Sequence, residues 1–112
     1  MKNLNISNEL LSNVLFMEVY SNSLSFDSII FECSLPLKQK VSLYKFAFLC
    51  KEWALTKGYK IQSQLNSENK GHSHISKISE NEWAKGFFKD TEVEAIIKAC
   101  EWILKEQNND TK

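Results

Sequence analysis

Arginine is absent from this chain, and all fourteen of its basic residues are lysine. Arginine's planar fork makes the bidentate contacts to phosphate and guanine that dominate nucleic-acid readout, whereas lysine offers a hydrated point charge. With a formal net charge of zero as well, the composition argues against a sequence-specific DNA binder. Glycine is scarce at three residues, too few for a phosphate-cradling loop, and no P-loop, GxGxxG, HExxH, GxSxG or EF-hand pattern occurs. No run approaches the roughly 20 apolar residues of a membrane span. The opening "MKNLNISNELLSNVLF" places Asn, Glu and Ser where a secretion signal needs an apolar core. Cys33, Cys50 and Cys100 are an odd set without CxxC spacing on apolar segments, a pattern that suits reduced thiols in a cytoplasm.

What is present is an ordinary globular mixture, 43% hydrophobic and 25% charged over 112 residues, enough for one domain with a core of its own. The expected domain covers 1–107, with 108–112 as a frayed tail. Ser7 offers an N-cap for a short helix through Leu10, Leu11, Val14 and Leu15. "FMEVYSNSLSFDSIIFECS" has period two and reads as two strands joined near Ser21, Asn22 and Ser23. Leu24, Phe26 and Ile30 share one face of the second strand, and Ile29, Phe31 and Cys33 the other, so that strand is expected to be covered on both sides. Pro36, the only proline, ends it in a loop through "LPLKQK".

Ser42 then caps a helix through "LYKFAFLCKEWALTKGY", with Gly58 as its left-handed stop. Leu43, Phe46, Ala47, Cys50, Trp53 and Ala54 form one stripe on it, and Tyr44, Phe48 and Leu55 a second, which predicts burial on more than one side. "YKIQSQL" and "HSHISKIS" alternate as paired strands about a turn ending at Gly71, and "EWAKGFF" suggests a shorter third. Thr91 and Glu94 form a capping box for the last helix, Glu92 to Glu106. On it Val93, Ile96, Ile97, Cys100, Ile103 and Leu104 share a face, while Trp102 points the opposite way, toward Ala95 and Ala99. The whole reads as an α+β domain, ordered α, β, β, α, β, β, β, α, with one antiparallel sheet of four or five strands, two main helices and a short N-terminal helix.

Chemistry-bearing residues are few. His72 and His74 share one face of a strand in metal-ligand geometry, but no third ligand stands at a recognisable spacing, so solvated sheet-face histidines are the simpler reading. Cys50 or Cys100 with a histidine and Glu94 would make a nucleophilic constellation only if the thiols were accessible, and both fall on buried stripes. No catalytic residue, metal or cofactor is assigned. Exposed aromatics are the better indication: Trp83, Phe87 and Phe88 flank Lys85 and Lys89. Either Trp102 is covered by the N-terminal helix or by Trp83, or these four aromatics form a patch for another protein or a second copy. The alternative is a weak nucleic-acid accessory factor using Lys38 and Lys40, from a middle in which Lys38, Lys40, Lys45, Lys51, Lys57 and Lys60 face Glu52 alone, together with Lys85 and Lys89 of the Trp83 to Lys89 segment.

At "CKEWALTKGY", two strands, then "DTEVEAIIKACEWILKE", the chain resembles small proteins of bacteriophages, prophages and their hosts, in the manner of phage ABA-sandwich domains. The resemblance covers Ser42 to Lys105. It implies a cytoplasmic accessory protein of phage or mobile-element origin and transfers no functional residue; the leading reading is a non-enzymatic interaction protein, with modulation of a host protein as the special case the resemblance suggests.

Overall fold

The computed structural model describes residues 4–34, 38–65, 68, 70–79 and 82–110, with backbone alone at 82–84 and 109–110. The order is α1 (Asn8–Leu15), β1 (Val19–Ser25), β2 (Ser28–Cys33), β3 (Gln39–Ser42), α2 (Leu43–Thr56), β4 (Tyr59–Leu65), β5 (Gly71–Lys77), β6 (Glu82–Lys89) and α3 (Glu92–Asp110). The class is α+β, but the strands form two antiparallel meanders of three, β1-β2-β3 and β4-β5-β6, instead of one sheet of four or five. The added strand is β3, where a loop was expected. It carries one apolar side chain, Val41, set opposite Ile29 of β2, too short a signal for period-two reading. Pro36 lies outside the described residues.

The β1–β2 turn also falls elsewhere than expected. Ser21, Asn22 and Ser23 are within β1, and Ser25 pairs with Ser28 about the two-residue turn Phe26-Asp27. Asn22 uses its amide to donate to the Ile6 carbonyl at 3.0 Å and to Asn8 Oδ1 at 2.7 Å, so turn-type residues here serve to fasten α1. Phe26 itself, expected on a covered face, adopts φ 56 and is 98% exposed. β2 is buried at Ile29, Phe31 and Cys33.

Caps explain the helix boundaries. Ser7, Ser42 and Thr91 each accept from a backbone N–H three residues on, at 3.0–3.1 Å. Gly58 closes α2 at φ 87. Leu43, Phe46, Ala47, Cys50, Trp53 and Ala54 are buried as read, but the second stripe is not: Tyr44, Phe48 and Leu55 are more than half exposed. Among the described residues no element lies over that side of α2, which packs on α1, α3, β3 and β4.

Helix α3 is the centre of the molecule. One side meets α2 and α1, and the other lies on all three strands β4, β5 and β6. Ala95 and Ala99 are fully buried, and the Ser73 hydroxyl beneath donates to the Ala95 carbonyl at 2.9 Å; small residues on the second face let helix and sheet approach. Trp102 is half-buried on that face, edge-on to Tyr59 of β4 at 6.0 Å and 84°. Among the described residues Tyr59, a residue of its own chain, supplies this cover. Glu101 fastens α1 to α3: its carboxylate accepts from the Ser7 N–H at 2.8 Å and the Ser7 hydroxyl at 2.7 Å. At the far end Asn108 donates to Glu9 at 3.1 Å.

Candidate functional site

The Cα atoms span 43 × 38 × 19 Å, a short axis that accommodates one helix layer on one sheet layer. Among the described residues, one open surface lies on the helix layer and another on the far side of the β4–β5–β6 sheet.

On the helix layer, the uncovered side of α2 and the start of α3 enclose a groove of about 480 Å³. Its floor is core: Ala47, Val93 and Ile96. Its rims are Tyr44, Phe48 and Leu65, 63%, 62% and 56% exposed. Tyr44 and Phe48 stand one turn apart on α2, and Leu65 ends β4. Lys51 and the acidic pair Asp90 and Glu92 mark the polar ends. Glu92 is fixed, since Ser63 donates to its carboxylate at 2.6 Å. Sequence reasoning placed these aromatics in the core; the available sign was that their stripe borders the polar strip at Lys45, Glu52 and Thr56.

On the sheet, pairing register sorts the residues. Tyr59, Ile61, Ser73 and Ile75 face α3 and are buried or half-buried, so Lys60, Gln62, Gln64, His72, His74, Ser76, Gly86 and Phe88 take the outer face. Phe88 stacks on His72 at 4.1 Å and 11°, and His72 on His74 at 4.0 Å and 55°. Partial desolvation, then the neighbouring His74, lowers the His72 pKa below the ordinary histidine value, which favours the neutral ring at neutral pH. Beside His74, a depression of about 560 Å³ is lined by Lys51, Ile61, Gln62, Ser63, Gln64 and His74.

The residues expected to form one aromatic patch are separated. Phe88 is on the outer face at 66% exposure, Phe87 is half-buried against the core, and Trp102 packs on Tyr59. The Trp83 side chain lies outside the described set, and its backbone pairs with Ser76. The lysines are likewise divided. Lys38 precedes β3 and pairs at 3.9 Å with Glu32 of β2, and Lys40 is on β3, whereas Lys85 and Lys89 are on β6 of the other sheet.

Cys33, Cys50 and Cys100 are all buried free thiols. Burial, then contact with Cys100, pushes the Cys50 thiol well above its ordinary range, the opposite of an activated nucleophile. Among the described residues no group of three or more His, Cys, Asp and Glu could hold a metal ion, and no helix is long and apolar enough to cross a membrane. No protein-family model matches the chain, and neither curated proteins nor solved structures yield a match.

Proposed function

We propose that the protein is a non-enzymatic interaction module whose α2–α3 groove receives an amphipathic helix of another protein. The observation that carries this reading is the convergence of Tyr44, Phe48 and Leu65, each more than half exposed, on one groove with a buried apolar floor. Scattered exposed apolar residues need no explanation, but a contiguous set over a concavity marks a docking surface. Apolar rims on α2 and at the end of β4, over a floor from α2 and α3, suit a helix that inserts anchors at i, i+3 or i+4 spacing. Asp90 at the α3 end favours a basic residue at the matching end of the ligand. Binding to a host protein by a phage-type accessory factor is the special case that the resemblance suggests.

Selection of a displayed library of short random peptides on the wild-type protein tests this. Enriched peptides should carry apolar residues at helical spacing and bind the Phe48→Asp variant about 30-fold more weakly, the value of a hot-spot anchor of about 2 kcal/mol. Phe48 is largely exposed, so the variant should melt as wild type does. Peptides that bind both proteins equally, or a library that yields none, would overturn the proposal.

A further inference from the structure

We infer that the side of α2 over which no described element lies pairs with the same side of a second copy of the chain, the two helices running antiparallel across a two-fold axis. The inference rests on the reading of that side as a docking surface and names what holds it before a foreign helix does.

The groove does not account for the whole stripe. Tyr44 and Phe48 rim it, but Leu55, 52% exposed, stands on the same side of α2 and outside the groove. With the half-buried Lys51 these residues recur at steps of four, three and four along α2, Leu43–Thr56. At about 100° per residue the four fall within about 60° of one another, a narrow seam that runs the length of the helix. Alternating steps of four and three are those of one helix laid along another.

Charge selects both the partner and the direction. In antiparallel pairing Tyr44 meets Leu55 of the second copy, and Phe48 meets its Lys51, whose aliphatic stem covers the ring while the ammonium reaches water. Lys45 and Glu52, both exposed, flank the seam on one side, each a single residue past a seam position. Antiparallel pairing sets them in the same gap between those two layers, so each Lys45 faces the Glu52 of the other copy, twice by symmetry. Parallel pairing would set Lys51 against Lys51 in one layer. On the other flank the corresponding positions are Ala47 and Ala54, both buried and small enough to let the helices approach. The seam is therefore complementary to itself in one orientation.

Four seam residues on a helix of about 21 Å bury less than the roughly 1,200 Å² of the smaller stable interfaces, which sets a weak dimer with a Kd of about 10–100 µM. Tyr44 and Phe48 serve both surfaces, so a groove ligand and the second copy exclude each other.

Sedimentation equilibrium of the full chain from about 5 µM to 1 mM, at about 50 mM salt to limit screening, is the test. Lys45→Glu and Glu52→Lys each replace two ion pairs by two like-charge contacts and should weaken the dimer at least about fivefold. The double variant Lys45→Glu/Glu52→Lys restores opposite charges and should return the Kd to within about twofold of wild type. Both side chains are exposed and neither reversal opposes the α2 dipole, so the variants should melt as wild type does. A wild type that stays monomeric throughout, a dimer indifferent to the single reversals, or single reversals that the double does not repair would overturn the inference. Neither Lys45 nor Glu52 lines the groove, so groove-selected peptides, at protein concentrations where the monomer predominates, should bind all three variants as they bind wild type. The docking reading thus fails on the peptides, and the pairing of two copies on the charge reversals.

Discussion

Gly71 opens β5 against the first turn of α3, and its substitution by alanine should be the most costly single methyl addition in the described fold. A Cβ there would lie 2.0 Å from both the carbonyl carbon and the oxygen of Thr91 and 2.3 Å from the Glu92 nitrogen. Ordinary contact begins near 3.4 Å, so β5 and α3 must separate by about 1.4 Å, and the atoms in the way are backbone with no rotamer to yield. That displacement falls on two bonds that hold the start of α3, from Glu94 N–H to the Thr91 hydroxyl and from Ser63 to Glu92. Overpacking with partial loss of a cap gives a cost of about 3 kcal/mol, or a fall in Tm of roughly 12–18 °C. Urea and thermal unfolding followed by tryptophan fluorescence would measure it. Gly58→Ala is the control: nothing lies within 4 Å of its Cβ, but φ is 87, so its cost of about 1–2 kcal/mol is conformational alone. A Gly71→Ala penalty below about 1 kcal/mol would refute the close approach. Thr91 and Glu92 also line the groove, so groove-selected peptides should weaken on the same variant.

Trp102→Ala should leave the sedimentation behaviour unchanged and lower stability by about 2–3 kcal/mol, from the lost edge contact with Tyr59 and partial burial; a dimer that becomes a monomer would contradict this assignment. Glu101→Gln keeps the shape but weakens the two charge-assisted bonds at Ser7, for a cost of about 1–2 kcal/mol. The loss should be local, as faster hydrogen exchange in α1 with α2 amides unaffected, and unaltered exchange in α1 would show that the carboxylate does not fasten it.

Local chemistry with a single dominant cause was legible in the sequence. The Ser7, Ser42 and Thr91 caps, the Gly58 stop and the β4–β5 pairing about Gly71 all follow from residues whose alternatives are poor. What was not legible depended on residues distant in the chain. Ser21 to Ser23 carry turn chemistry, yet Asn22 is held in a strand by bonds to Ile6 and Asn8, and a dipeptide without glycine makes the turn instead. Strand β3 is specified by the edge of β2 more than by its own four residues.

The same non-local dependence decides where the aromatics go. On both long helices the sequence shows a second apolar stripe, Tyr44 and Phe48 on α2 and Ala95, Ala99 and Trp102 on α3, and periodicity alone cannot say whether a second layer covers it. The β4–β5–β6 sheet has one inner face, and α3 occupies it because its stripe is built on alanines that admit close approach, with Tyr59 placed to receive the one large residue. Among the described residues no comparable sheet lies over the large side chains of α2, and they remain exposed as the rims of a groove. Placing α3 on the inner face also leaves the outer face without a layer, and there the alternation of β5 sets His72 and His74 beside Phe88. Both open surfaces thus trace to one packing choice, the sheet going to the helix with small residues, and exchanging Ala99 for leucine should disturb both at once by lifting α3 from the sheet.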